Sequence, residues 1–198
     1  MHDADAEPDP VTPFVGLHER SRRLGQWVWL ERSVFEILGA WSVSSEHPGV
    51  AVLFGEMSRR HGWHAEVLCG RLPELASVDA ESLVVTPGAG TDALLAAVSA
   101  PGAVRSTTTD VLRLVGAYRM LLPVLVTNYR AASTTLSPVA EPSLGRWLEI
   151  IVGDDLDEWI RGEDLLRSML LDAEVVGVAL YHQLHLEQVA LGSDRLSR

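Results

Sequence analysis

The chain has 198 residues, of which 47% are hydrophobic and 22% charged, a composition typical of a globular domain with a substantial core. Its formal net charge of -11 argues against nucleic acid and anionic membrane as partners, because both are bound through clustered Lys and Arg. The single cysteine, Cys69, excludes an internal disulfide, and no apolar run reaches the roughly 20 residues that span a bilayer. We therefore expect a cytoplasmic protein that binds neither nucleic acid nor membrane.

The chain begins with an acidic, proline-rich tail over residues 1–16, which we expect to be disordered because it lacks a core-forming apolar pattern. One helical domain is expected over 17–192. Apolar periodicity and Pro or Gly breaks place five helices at about 17–43, 49–72, 107–136, 142–171 and 172–191. Short turns join the first helix to the second and the third to the fourth. The domain is therefore predicted to be all-α.

The connection between the second and third helices is long and rich in Pro, Gly, Ser and Ala, with one short helix expected at 92–99 and weak strand-like alternation at 82–86. Thr107 and Asp110 have capping-box spacing at the start of the third helix. Pro123 is expected to kink that helix, and Gly192 to close the last one. Two helical hairpins joined by one long crossover are the connectivity of ferritin-like bundles.

Polar residues fall on the inward faces of three predicted helices. His61 and His64, one turn apart, lie within the apolar stripe of the second helix, and Asp155 and Glu158 lie within that of the fourth. Glu31 sits at the edge of the core face of the first helix. All five lie at similar distances from the hairpin turns, so they could share one layer of a bundle. Buried ionised groups need a partner or a metal, so this layer requires a common explanation.

The third helix differs, because no Asp or Glu occurs between residues 111 and 140. Its inward face carries leucines together with Tyr118 and Tyr129. We interpret both tyrosines as core residues whose hydroxyl groups reach a hydrogen-bond partner.

Three segments carry a resemblance to a known superfamily: ERSVFEILGAW (31–41), RRHGWHAEVLCGRLPEL (59–75) and GDDLDEWIRGEDLLRSML (153–170). They resemble the ferritin-like superfamily, and more narrowly uncharacterised actinobacterial ferritin-like (rubrerythrin-like) proteins. The resemblance implies a ferritin-like four-helix bundle with a long crossover between the second and third helices and an extra C-terminal helix.

The resemblance also implies a metal site. Di-iron members carry one Glu from each of two helices and a Glu-x-x-His from each of the other two. Glu31 matches the first of these carboxylates. Where the family has Glu-x-x-His, this chain has His61-x-x-His64 in the second helix and Asp155-x-x-Glu158 in the fourth.

Two hypotheses of function follow. In the first, Glu31, His61, His64, Asp155 and Glu158 bind iron or manganese for oxidase or hydroxylase chemistry, with Glu31 or Glu158 bridging metal or shuttling protons. In the second, the same residues form a vestigial hydrogen-bonded network in a non-catalytic helical scaffold or dimerisation protein. The second hypothesis includes a homodimer, and the substrate is left open.

Overall fold

The computed structural model describes residues 16–73, 79–101, 105–137, 139 and 141–196, with only the backbone given for 193–196. Apart from Gly16, the predicted N-terminal tail lies outside the described residues. The described part is all-helical, as predicted. Its α-helices are α1 (Leu17–Ser44), α2 (Pro48–Cys69), α3 (Ala89–Ser99), α4 (Thr107–Gly116), α5 (Leu122–Ser133), α6 (Pro142–Met169) and α7 (Ala173–Leu196).

Two local predictions are wrong. The strand-like alternation at 82–86 overlaps a 3-10 turn, Ala80–Leu83, and the described residues contain no strand. Gly192 does not close the last helix, because α7 continues through it to Leu196. A glycine at a helix end is a statistical stop signal, and it is overridden where the next residues still form helical hydrogen bonds.

The third predicted helix consists of α4, a π-helical segment (Ala117–Leu121) and α5. Pro123 lacks an N–H, and its ring would meet the carbonyl group four residues earlier in an α-helix. The helix widens immediately before this proline, and Leu122 N–H donates to the carbonyl oxygen of Ala117, five residues back. The expected disturbance at Pro123 is therefore accompanied by a π turn, which is commonly found near functional sites.

The start of α4 also differs from the prediction. Ser106, not Thr107, is the N-cap, and its Oγ accepts a hydrogen bond from Thr109 N at 3.1 Å. Asp110 is fully buried, and its Oδ2 accepts hydrogen bonds from Glu46 N and His47 N at 2.9 and 2.7 Å. The predicted capping residue thus ties α4 to the turn between α1 and α2.

The helices α1 and α2 form an antiparallel hairpin that buries an extensive face. Small residues let the two backbones approach closely: Gly39 lies against Ser58, whose Oγ donates to Phe35 O at 2.9 Å. The helix α6 packs on α2 and α5, so α1, α2, α5 and α6 surround one core. Its fully buried members include Val28, Leu38, Val50, Phe54, Met57, Leu122, Leu148 and Ile151.

A very close approach in this core is at Gly162 of α6. A Cβ added there would lie 2.1 Å from Tyr118 Cε1, so the tyrosine ring rests directly on the α6 backbone. The Tyr118 hydroxyl group contacts Met57 Sδ. Only glycine allows this packing, which positions the π segment against α6.

The connection between α2 and α4 does more than link the two helices, because part of it packs against the rest of the domain. Its helix α3 packs against α7, and both contact α4. Within the part of the chain that the structure describes, every helix is too short or too polar to cross a bilayer.

Candidate metal centre

Three helices bring five ionisable side chains into the core. Glu31 comes from α1, His61 and His64 from α2, and Asp155 and Glu158 from α6. Each is at most 1% exposed. The inward orientation predicted from helical periodicity is therefore confirmed for all five residues.

Glu31 accepts contacts from two other helices. His61 Nδ1 lies 2.5 Å from Glu31 Oε2, and the hydroxyl group of Tyr129 on α5 donates to Glu31 Oε1. His64 Nδ1 lies 3.6 Å from Glu31 Oε2, which is too far for a hydrogen bond. Glu31 is thus the residue that joins α1, α2 and α5 at the centre.

His64 lies between the centre and the protein surface. Its Nδ1 is 3.8 Å from Asp155 Oδ1, and its Nε2 is 3.4 Å from Oδ2 of Asp154, a residue near the surface. The ring of Trp63 lies beside it, with ring centroids 5.5 Å apart. One ring nitrogen therefore faces the buried carboxylates, and the other faces outward.

Glu158 is paired with Arg60, a half-buried residue of α2. Arg60 Nε lies 3.0 Å from Glu158 Oε1, without the alignment of a hydrogen bond. Arg60 also donates to the backbone carbonyl of Asp154 at 3.3 Å. Arg60 and Asp154 together cover the centre on its solvent side.

Four polar atoms of this cluster are buried and lack a hydrogen-bond partner among the described residues. They are His61 Nε2, His64 Nδ1, Asp155 Oδ2 and Glu158 Oε1. Each unsatisfied buried polar group costs about 1–3 kcal/mol. A concentration of such atoms in one place indicates a group that the protein chain itself does not supply.

A metal ion fits these residues. Ligand atoms of Glu31, His61 and His64 all lie within 4.8 Å of one another, so these three could hold one ion. Asp155 and Glu158 do not belong to this compact group, although Asp155 approaches it through His64. Imidazole nitrogen and carboxylate oxygen suit iron, manganese and zinc.

The electrostatics of the cluster favour an ion pair between Glu31 and His61. Burial would lower the pKa of His61, but the Glu31 carboxylate raises the pKa of His61 to about 9. Burial would likewise raise the pKa of Glu31, and the two histidines hold that pKa well below its usual range. Burial raises the pKa of Asp155 to about 7.

The sequence did not reveal three members of the site. Tyr129 was expected to be a core residue with a partner, but that partner is the candidate ligand Glu31. Arg60 and Asp154 each directly precede a predicted ligand in the sequence. On a helix wheel, these positions lie beside the apolar stripe, where polar side chains are expected to face solvent. The one available signal was that an arginine stands beside an inward-facing histidine.

The pKa values predict how the stability of the metal-free protein depends on pH. The raised pKa of His61 stabilises the fold fully below its usual 6.5, and this contribution is lost as the pH rises through about 9. The raised pKa of Asp155 acts in the same direction between 3.8 and about 7. Glu31, with its lowered pKa, contributes above 4.5 and loses this contribution in acid. We expect the melting temperature to fall from pH 5 to pH 9, because the contribution of Glu31 is complete above 4.5 while those of Asp155 and His61 are lost in turn.

Thermal unfolding in the presence of a chelator, from pH 5 to 9, measures this dependence. A Glu31→Gln variant is the matched control, because it removes the charge that raises the pKa of His61 and should flatten the decline above pH 6.5. A wild-type melting temperature that rises steadily from pH 6.5 to 9 would contradict the ion pair.

Comparison of the chain with protein-family models, with curated proteins and with solved structures found no match.

Proposed function

We propose that this chain is a ferritin-like helical-bundle protein that binds iron or manganese in its core for oxidase or hydroxylase chemistry. Glu31, His61 and His64 would hold the ion, and Asp155 and Glu158 would complete its surroundings. The observation that carries the proposal is the set of four buried polar atoms without a hydrogen bond, all of which belong to these residues; of the four, Glu158 Oε1 has an ion pair with Arg60. A hydrogen-bonded structural network would leave fewer of them without partners.

The arrangement of helices supports the ferritin-like part of the proposal. The hairpin of α1 and α2 packs through α2 on α6, which in turn packs on α5. In this proposal, the connection between α2 and α4 corresponds to the long crossover, and α7 to the additional C-terminal helix. In such bundles, metal sites are built from side chains on facing helices.

A bound ion held by two histidines and a carboxylate would leave coordination positions open for oxygen. The residues around it have distinct tasks. Tyr129 fixes one oxygen of Glu31 and so orients the other towards the histidines. Asp155 lies 3.8 Å from His64 and is placed to exchange a proton beside the centre.

Access to the centre would come from the face of α1 and α2. An open groove of about 1210 Å³ lies there, and both Arg60 and Asp154 line it. Asp154 contacts His64, and Arg60 contacts Glu158. Movement of these two side chains would connect the groove with the buried cluster.

The test is the metal content of protein purified without chelators and without a polyhistidine tag. We expect iron or manganese bound in stoichiometric amount, and oxygen consumption when ferrous iron is added to metal-free protein. Protein that is isolated without metal and does not take up ferrous iron under anaerobic conditions would contradict the proposal and favour the scaffold hypothesis.

A second candidate function is self-association through α7, because this helix carries a largely apolar inner seam and an outer seam of leucines and small residues interrupted by Glu187. One seam packs on α3 and α4. The other faces solvent, with positions spaced alternately four and three residues apart. The inner seam consists of Val175, Ala179, His182, Leu186 and Val189, and the outer seam of Ala173, Gly177, Leu180, Leu184, Glu187 and Leu191.

The outer seam is complementary to itself. In an antiparallel pair of α7 helices with a two-fold axis at the level of residue 182, Leu180 faces the partner's Leu184, and the small Ala173 faces the partner's Leu191. The side chains of Leu180, Leu184 and Leu191 are 54, 48 and 67% exposed. A helix that is apolar on two faces is usually buried on both.

Light scattering coupled to gel filtration tests this interface. We expect a dimer for the wild type and a monomer for a Leu180→Glu/Leu184→Glu variant. A Val178→Glu/His185→Glu variant places the same charges at exposed positions outside the outer seam and should remain dimeric. A monomeric wild type at micromolar concentration would exclude α7 as a self-association surface.

A further inference from the structure

We infer that the centre binds one divalent ion, and that the Arg60 guanidinium group occupies the place of a second positive charge. This inference rests on the proposed metal-binding function and specifies the stoichiometry and the residue that limits it.

The buried anions set the charge that the centre must balance. Glu31, Asp155 and Glu158 are carboxylic acids at most 1% exposed. Asp154 lies at the rim with a third of its side chain exposed, so water compensates much of its charge. Three carboxylates in a dry core require a comparable positive charge, because uncompensated buried charge costs several kcal/mol.

Arg60 is the permanent cation in direct contact with this set. Its Nε is 3.0 Å from Glu158 Oε1, and its donation to the carbonyl of Asp154 holds the side chain over the centre. Arg161 is a second cation near Glu158, but its guanidinium group pairs with Glu56 at the surface. Arg60 therefore neutralises Glu158 from a fixed position.

The charges balance with a single ion. Metal binding releases the proton of a ligating histidine, so with both histidines neutral, one divalent ion and the Arg60 guanidinium group together match the charges of Glu31, Asp155 and Glu158. A second divalent ion would leave an excess of positive charge in a site from which water is largely excluded. It would also compete with Arg60 for Glu158, a carboxylate that two-metal sites would use to hold their second ion.

The helix α5, whose Tyr129 contacts Glu31, also supports a single bound ion. No Asp or Glu lies between residues 111 and 140, and the group that α5 presents to the centre is the Tyr129 hydroxyl. That hydroxyl group donates a hydrogen bond to Glu31 Oε1. A neutral phenol is a poor substitute for a bridging carboxylate, so α5 supplies no anionic ligand for a second ion.

Anaerobic titration of the metal-free full chain with Mn²⁺ measures the stoichiometry, by calorimetry and by electron paramagnetic resonance. We expect one equivalent per chain and the six-line spectrum of an isolated Mn²⁺ ion. Two equivalents with a spin-coupled spectrum would overturn the inference while leaving the proposed function intact. No binding at all would instead refute the proposed function.

Two variants test the part played by Arg60. In Arg60→Gln, the loss of the fixed cation frees Glu158, and we expect a second equivalent of Mn²⁺ to bind near the first. Arg60→Lys retains the charge and should still bind one equivalent. Arg59→Gln removes the neighbouring exposed arginine and is the matched control, with one equivalent expected.

The Arg60→Gln result decides between the two roles of this residue. Binding of a second ion, seen as spin coupling in the spectrum, supports a charge that substitutes for metal. Unchanged binding of one equivalent would show that Arg60 serves only packing or access, and would overturn its assignment. Circular dichroism of each metal-free variant establishes that folding is retained.

Discussion

We expect saturating Mn²⁺ to raise the melting temperature of the wild-type chain, and this rise to disappear in a His61→Ala/His64→Ala variant. An ion that binds only the folded state stabilises it by about 2.7 kcal/mol at one hundred times the dissociation constant. For a chain of this size, that corresponds to roughly 5–10 °C. Both histidines are fully buried beside Glu31, so their removal takes away the nitrogen ligands.

The matched control is a His18→Ala/His185→Ala variant, which removes two exposed histidines and should retain the full shift. Glu31→Gln provides a variant of nearly unchanged shape, in case the double replacement disturbs folding. We expect it to weaken Mn²⁺ binding by at least about 100-fold, since even outer-shell partners of metal ligands contribute 10–100-fold. A double variant that keeps the thermal shift would place metal binding elsewhere in the chain.

The second large effect is expected at Asp110, away from the centre. We expect Asp110→Ala to lower the free energy of unfolding by about 3–5 kcal/mol, the usual cost of removing one partner of a buried ion pair. This corresponds to a fall in melting temperature of roughly 6–20 °C. Chemical denaturation and calorimetry of the metal-free protein measure both quantities.

The geometry around Asp110 explains this magnitude. Its Oδ1 lies 3.4 Å from Nη1 of Arg113, and both side chains are fully buried. Arg113 also donates to Ser44 Oγ at 3.0 Å and lies over the ring of Trp41. Loss of the carboxylate would leave two backbone N–H groups of the turn between α1 and α2 unsatisfied, in addition to a buried guanidinium group.

Asp157→Ala is the control for this substitution, because Asp157 is an exposed residue of α6. Alanine has the higher helix propensity, so we expect no loss of stability there. Asp110→Asn keeps one oxygen acceptor and should fall between wild type and Asp110→Ala. A loss below about 1 kcal/mol in Asp110→Ala would mean that water or rearranged side chains replace the carboxylate.

Helix periodicity was sufficient to identify the candidate ligands. Apolar residues repeat every three or four positions in α2 and α6, so the polar residues that interrupt the stripe must also face the core. His61, His64, Asp155 and Glu158 were found in this way, and Glu31 followed from the edge of the first stripe. Breaks at Pro48 and Pro142 placed the starts of α2 and α6 within a residue.

Pairing between helices could not be predicted in the same way. The partners of Glu31, Glu158 and Asp110 lie 30 to 98 residues away in sequence, except for the neighbouring Arg113. Periodicity fixes the rotation of one helix but not its translation along a neighbour. A shift of one turn would exchange Tyr129 for another residue opposite Glu31.

The sequence by itself therefore determined the all-α class, the approximate helices and the five inward ionisable groups, because these depend on local spacing and on the cost of burying charge. Tertiary structure alone decided that Tyr129 holds Glu31, that Arg60 neutralises Glu158, and that four buried polar atoms are left without hydrogen bonds. The physical reason is that hydrogen bonds and ion pairs require contact within a few ångströms. Such contact depends on how whole helices pack, which no single segment encodes.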